Sequence, residues 1–529
     1  MKVIKPKTFA PAMLAYSSAV ETAAAWSSGT TYALGAVVDY GQSLYESLQG
    51  SNLNRQPDTN PTWWQRTGPD NRHAMFDQQV STATSATSPL VVSVNTGAIN
   101  SAALVGLVGA KLNIWLTSSA ASFTSRASSA TWVDYQGVIQ TAGSNVPRYG
   151  HNPATLLPTG LMVESAATNL VLRSAEFDNA SWTKQRTTVT ANSVTAPDGT
   201  TSADLVTGTG AAGGAMSVQQ SVTAAGSTAY ALSVWAKAGT ATWLVIYGFD
   251  GTTTPGQWFD LSAGAVGQTG AGMSLPKIEA FPGGWYRCSV VRTTGSGATS
   301  LRAEFAQAAA DGTTIAADTK TFHLWGAQAE AGSAATSYVA TASATATRAA
   351  DVGTGASVVY AKSVNLDGTI LADWYQYFFE EAVQLGEVVR TDVVPYTNGQ
   401  LSISLHGPGT VEIGNLLFGT FYDLGDTEFG ASAGIADYSV KETNEFGDVT
   451  FVPRTFAKRL TARMQLDAAQ MNKVQRVLAD VRATPCVWIG ADDQALYAPL
   501  IVYGWYRDFS IDVAYPTTSF VSLEVEGLT

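Results

Sequence analysis

Short apolar runs, rich in β-branched and aromatic residues and closed off by Gly, Pro, Asp or Ser, recur from one end of this chain to the other. "SPLVVSV" (88–94), "TWLVIYGF" (242–249), "GWYRCSVVR" (284–292), "TFHLWGAQ" (321–328) and "TSFVSLEVEG" (518–527) are the clearest. Runs of this length and composition read as strands. They share no fixed repeat period, which argues against propellers and solenoids. One stretch breaks the pattern. "LDAAQMNKVQRVLADVRA" (466–483) opens on Asp467 with Gln470 three residues on, the spacing of a capping box. Met471, Val474, Leu478 and Val481 then fall on one helical face. The sequence therefore predicts a mainly β, multi-domain protein whose one helix, at about 466–483, covers a side of the C-terminal sheet.

Composition shifts divide the chain. With 529 residues it can hold three or more domains. Segments 117–130 and 329–357 are Ser/Thr/Ala/Gly-rich and read as joints. Just outside them stand two strand-like pieces, "KLNIWL" (111–116) and "SVVYAKSV" (357–364). A domain inserted into a hairpin explains this arrangement, because insertion at a loop tip disturbs few contacts. The expected division is an N-terminal anchor (1–22), a small aromatic module (23–69), a split β-rich body (70–118 plus 353–529) and an inserted sandwich (119–352).

Charge and motif content exclude several functions. The net charge of −12 is the wrong sign for nucleic-acid binding. The apolar run at 103–116 carries Lys111 and falls short of the roughly 20 residues of a membrane span. The opening "MKVIKPKTFAPAMLAYSS" lacks the clean apolar centre of a signal peptide, so entry into the secretion pathway is not expected. Cys288 and Cys486 belong to no C-x-x-C pair and read as two buried thiols, a long-range disulfide being the alternative. His73, His151, His323 and His406 lack zinc-site spacing. "GASAG" (430–434) fits a nucleophile elbow around Ser432 in letters only, since no histidine follows it. Glu380-Glu381 and Asp492-Asp493 are sequence neighbours, which point apart on a strand and read as solvated. No enzyme activity and no cofactor are expected. Structural calcium held by loop carboxylates is the one option left open.

Three sets of phrases resemble known families. "SFTSRASSATWVDYQGVIQTAGSNVPRYGHNPAT", "GLMVESAATNLVLRSAEFDNASWTK", "YALSVWAKAG", "GGWYRCSVVRT" and "FHLWGAQAEAGSAATSYV" occur in that order. Together they resemble the module of bacteriophage tail-fibre and head-spike proteins, whose sandwich is similar to jelly-roll carbohydrate-binding modules. The flanking "PTWWQRTGPDNRHAMFD", "DWYQYFFE" and "GTFYDLGDTEFGASAGIADYSVKETNEFGDVTFVPRTFAKR" resemble virion proteins of the tail-tip region of siphophages and prophages. Residues 25–64 are similar to small chitin-binding-type modules. Trp26, Tyr32, Gly35, Val38, Tyr45, Asn54, Pro57 and Trp63 or Trp64 occupy that plan. A module of this size has too few residues for a conventional core, so aromatics must supply it. Its usual sugar platform after the second Tyr is replaced by Glu46-Ser47-Leu48-Gln49, which offers no flat π surface.

These resemblances imply a non-enzymatic component of a phage tail, at the tail tip or fibre base. It would be made in the host cytoplasm and carried on the virion. Its expected partners are other tail proteins, further copies of itself in a trimer or symmetric ring, and a host cell-surface glycan. The alternatives are a purely structural virion protein and a capsule-degrading tailspike. Trp26, Tyr45, Trp63 and Trp64 are the contact candidates of the small module. Of the adjacent pair, one Trp closes the mini-core and the other faces out, since neighbours on a strand point to opposite faces. In the insert, Trp182, Trp235, Trp285 and Trp325 are also candidates for a sugar platform, although strand aromatics in a sandwich are more often core. Trp243, Tyr247 and Trp258, near turns, are the first choices for an exposed platform.

Overall fold

A computed structural model describes residues 1–313, 318–367, 385–443, 446, 449–491 and 497–528. The protein is mainly β and divides into two compact units, 1–120 with 359–529, and 121–358. No helix among the described residues is long and apolar enough to cross a membrane.

The 121–358 unit is an antiparallel sandwich of two six-stranded sheets. In the front sheet the order is Thr183–Gln185, Ser217–Thr223, Ser300–Ala308, Trp243–Phe249, Gly256–Asp260, Ala265–Thr269. The back sheet runs Thr187–Val194, Ala203–Gly208, Thr321–Ala331, Ala229–Ala238, Trp285–Thr293, Met273–Phe281. Alternate residues of each strand point inward, as the two-residue period requires. Leu244, Ile246, Phe259 and Phe305 of the front sheet meet Leu232, Val234, Val290 and Leu324 of the back sheet in one core. Phe177 and Trp182 plug it, their rings 4.8 Å apart.

Two short ribbons lie against the outer face of the back sheet: Ala130–Val133 with Ile139–Ala142, and Tyr149–His151 with Pro158–Leu161. A second, smaller core joins Ile139 to Trp235, Phe281, Trp285, Trp325 and Tyr338. The first ribbon turns at Gly137, whose φ is +81°. A Cβ there would come within 2.6 Å of Pro282, so a side chain would push the ribbon off the sheet.

A buried charge cluster ties the start of this unit to its end. Asp351 accepts from Arg126 Nη1 at 3.0 Å and from Arg148 Nη2 at 2.5 Å. Arg148 Nη1 also lies 2.9 Å from Glu164, and Arg348 Nη1 3.6 Å from the same carboxylate. The three guanidiniums and Asp351 are sealed from solvent.

In the other unit an eleven-stranded sheet faces a five-stranded one. Leu104, Leu107, Ile413 and Phe418 of the first pack on Leu112, Ile114, Leu401 and Ile403 of the second. Lys111–Thr117 and Val358–Asn365 are neighbours in the five-stranded sheet, so the chain leaves and returns through adjacent strands.

The helix is shorter than expected. Leu466 and Asp467 end the long strand Phe456–Asp467, a 3₁₀ turn spans Ala468–Gln470, and the α-helix covers only Met471–Asp480. Asp467 does cap, accepting from the Ala469 amide. Val474, Val477, Leu478 and Val481 bury against strands Phe456–Asp467 and Thr518–Gly527.

Cys288 and Cys486 are buried free thiols and form no disulfide. Ser432 begins the exposed strand Ser432–Asp437 rather than a strand-to-helix elbow. The pairs Glu380-Glu381 and Asp492-Asp493 lie outside the described residues, as does "DWYQYFFE".

Candidate functional site

The residues singled out from sequence are distributed differently from expectation. In the small module, Trp64 is 2% exposed and closes the mini-core. Its ring meets Tyr32 edge-on at 5.3 Å, and its Nε1 donates to the Arg55 carbonyl at 2.7 Å. Trp64 is therefore core and not a contact residue. Trp63 is the outward member, half-buried, with the Arg55 guanidinium 5.2 Å from its ring. Trp26 is half-buried against Tyr40, and Tyr45 is half-buried on strand Ser43–Ser47.

Two of the three rings of the expected platform on the sandwich are covered. Tyr247 and Trp258 are each 9% exposed, and Trp243 is half-buried. They share the outer face of the front sheet with Val245, Ala306 and Ala308, and Ala215 packs on them. The loop after Ser300–Ala308 takes up Trp258, whose Nε1 donates to the Thr313 carbonyl at 2.9 Å. Both rings also fold over Gly256, where a Cβ would lie within 3.0 Å of each. Roofed in this way, Tyr247 and Trp258 offer no flat π surface to a ligand, while Trp243 keeps part of its ring exposed.

An open cleft exists on the opposite sheet. Its volume is about 390 Å³. Its floor is the outer face of the back sheet, where Trp235, Arg287, Glu279 and Phe281 sit on three adjacent strands. The two ribbons supply one wall with Trp132 and His151, whose rings lie 6.5 Å apart. The 335–338 segment supplies the other wall with Thr336, Ser337 and Tyr338. A neighbouring depression of about 510 Å³ shares Phe281 and continues past Trp285 and Pro197.

The polar groups of this cleft are held in fixed orientations. The Arg287 guanidinium lies 4.5 Å over the Trp235 ring and donates to the Thr336 carbonyl at 2.6 Å. Burial pulls its pKa down, against the opposing pull of Glu279, Glu330 and Glu164. The buried Arg287 Nε and Trp235 Nε1 have no hydrogen-bond partner. Glu164 accepts from the Ser337 amide at 2.9 Å and its hydroxyl at 2.7 Å. Burial raises the Glu164 carboxyl, but Arg348, Ser337 and Arg148 outweigh it and hold the group below its ordinary value. Glu279 pairs with Lys277 at 2.7 Å. A half-exposed indole beside fixed donors and acceptors is suited to a ring with one apolar face and a polar rim.

Sequence reasoning missed most of this cleft. Trp132 stands in a strand-like phrase and was not among the aromatic candidates, and Trp235 reads as core. The signal in hand was the run of charge in "PKIEAFPGGWYR": Lys277, Glu279 and Arg287 share one sheet face through cross-strand pairing.

One grouping of three acidic ligand atoms occurs among the described residues: Glu21, Asp39 and Asp70, outside the sandwich. Glu21 already accepts from the Asn71 and Arg72 amides, and Asp70 from His73. Burial, then the Asp70 and Glu21 charges, raises the Asp39 carboxyl. These bonds account for Glu21 and Asp70 as loop caps.

No protein-family model matches the sequence, and no curated protein matches it. Its neighbours among solved structures include carbohydrate-binding-module β-sandwiches and a phage tailspike domain. The enzymatically active domain of bacteriophage CBA120 tailspike protein 4 aligns at TM-score 0.21 and 18% identity, over 31% of this chain and 21% of that one. The CBM22-1 xylan-binding domain of Paenibacillus barcinonensis Xyn10C aligns at 0.19 and 16%, over 32% of this chain and 94% of that one. A putative sugar-binding protein from Bacteroides thetaiotaomicron aligns at 0.20 and 11%, over 31% of this chain and 100% of that one. The chain thus spans about a fifth of the tailspike domain it matches.

Proposed function

We propose that the 121–358 unit binds a glycan in the cleft between Trp132, the Trp235–Arg287 stack and Thr336–Tyr338, and that the whole chain is a non-enzymatic component of a bacteriophage tail. On this reading it is made in the host cytoplasm, joins other tail proteins at the tail tip or fibre base, and presents the sandwich to the host surface. The observation that carries the binding reading is the cleft: a half-exposed indole facing a guanidinium and two carboxylates in about 390 Å³. Sugars expose a C–H face that stacks on such a ring and hydroxyls that planar charged groups hold. The phrases that resemble tail-fibre modules support the tail assignment.

A hydrolytic reading would ask one cleft carboxyl to donate a proton near neutral pH. Glu164 is held below its ordinary value and stays ionised there, which disfavours it as that acid. Weak single-site binding becomes useful attachment when several copies act together.

The test is a glycan array followed by titration calorimetry with the full chain. Binding to a host surface polysaccharide that Trp132→Ala weakens at least tenfold is the expected result, and that factor corresponds to about 1.4 kcal/mol. Absence of binding to any host polysaccharide would sink the reading.

A further inference from the structure

We infer that a second copy of this chain docks on the strands around 429–456. In the 1–120/359–529 unit, strand Ser432–Asp437 pairs with Phe456–Asp467 in continuous register, Ala433 opposite Leu460 and Ile435 opposite Lys458. Leu460 is fully buried in the core beneath the helix. Residues on that side recur every second position, so Ile435 and Phe456 lie on the same side as Leu460. They are 62% and 55% exposed, and Lys458 and Asp437, paired opposite them, rim the same side with charge. Phe429, in the turn before the strand, is fully exposed.

The adjacent ribbon, Val440–Thr443 with Val449–Val452, is a two-stranded sheet by itself. Phe451 on it is 69% exposed and Val449 46%. A lone two-stranded ribbon in water is marginal and needs a third strand or a packed face. No third strand joins it among the described residues, and only Val440 and Val452 of its apolar side chains are half-buried.

Area and charge point to the occupant. Taking roughly 200 Å² for a fully exposed Phe, these five side chains leave on the order of 600 Å² of apolar surface uncovered. A monomer's largest apolar patch is about 300–600 Å², and a stable dimer buries about 800 Å² on each partner, polar rim included. The chain as a whole carries −12 and repels its own copies. Residues 431–460 do not share that bias. Their described residues hold Lys441, Arg454, Lys458 and Arg459 against Asp437 and Glu442. An apolar patch whose rim carries both signs lets the cations of one copy meet the carboxylates of the other, as contact between identical surfaces requires. The outer edge of Ser432–Asp437 has no strand beside it among the described residues, which leaves backbone groups for the second copy to pair with.

The experiment is sedimentation velocity on the full chain over roughly 1 to 100 µM. Reversible association in that range is expected. Phe451→Ser with Phe456→Ser should raise the dissociation constant at least tenfold with an unchanged far-UV spectrum. Ile435→Arg, on the neighbouring strand, should do the same should the double variant misfold. A chain that stays monomeric at roughly 100 µM overturns the inference, as does association that neither variant weakens.

Discussion

Removing Asp351 should unfold the 121–358 unit several degrees early while leaving the other unit untouched. Its carboxylate is sealed from solvent and accepts from Arg126, from Arg148 and from the Glu164 amide, the last at 2.9 Å. The cluster holds three guanidiniums (Arg126, Arg148, Arg348) and two carboxylates (Asp351, Glu164), a net of +1. Asp351→Asn makes that +2 with no water to screen it. Breaking a buried pair by removing one partner costs about 3–5 kcal/mol. The lower end applies here, because Arg126 keeps its bonds to the Ser128 carbonyl at 2.8 Å and the Gly143 carbonyl. For a unit of this size each kcal/mol moves the melting temperature about 2–4 °C, so the loss should be about 6–12 °C. Differential scanning calorimetry of the full chain reads it as a shift of one transition. Glu176→Ala, which breaks the half-exposed Arg173–Glu176 pair at 3.0 Å, is the control. It should cost less than about 1 kcal/mol. If Asp351→Asn moved the transition no further than the control, the clasp would not hold the ends of the unit together.

Trp258→Ala should cost about 3–5 kcal/mol by emptying the roofed face, and should change glycan affinity less than twofold; a large affinity loss with full stability would return the binding site to the front sheet. Trp64→Ala should expose residues 48–62 to proteases without altering assembly into particles; particle loss with an intact module would restore it as a docking residue. Asp250 sets an acid limit. Burial raises its carboxyl, but the Thr253, Gly295 and Thr252 amides and Arg292 outweigh that and set it at about 2. A folded pKa below the unfolded value of about 3.9 stabilises fully above that value, and the contribution is lost as pH falls towards about 2. Unfolding followed between these limits should show a slope that Asp250→Asn flattens; an unchanged slope would refute the assignment.

Where period alone decides structure, the sequence was readable. The phrases at 242–249, 284–292 and 518–527 fold as Trp243–Phe249, Trp285–Thr293 and Thr518–Gly527. Each alternates one buried side chain with one of another environment, or is buried on both faces. The helix boundary failed for a definite reason. Leu460, Ala462, Met464 and Leu466 alternate as a strand, whereas the helical spacing holds only from Met471 onward. The strand keeps both boundary residues, because Leu466 pairs with Ser519 and Asp467 with Thr518 of strand Thr518–Gly527.

The cleft was unreadable for a different reason. Its lining comes from 131–164, 235, 277–287 and 335–338, four stretches that only the sandwich brings together. Aromatic count could not separate its members from the core, because Trp235 is 2% exposed and yet lines the cleft. Nearness to a turn favoured Trp243, Tyr247 and Trp258, but a turn can fold back over the residues beside it, as the Thr313 carbonyl does over Trp258. Exposure of an aromatic on a sandwich is therefore decided by which outer face the connecting segments cover. Here the loop at 309–313 closes the front face. On the back face the ribbons stand on Gly137 and Pro282 and leave an opening between them and the sheet. The floor of that opening carries both signs of charge, so on the proposed glycan reading a ligand would have to satisfy Arg287 and Glu279 as well as stack on Trp132. On that reading a neutral or zwitterionic sugar would do so at lower desolvation cost than a polyanion, which would face Glu164 and Glu279.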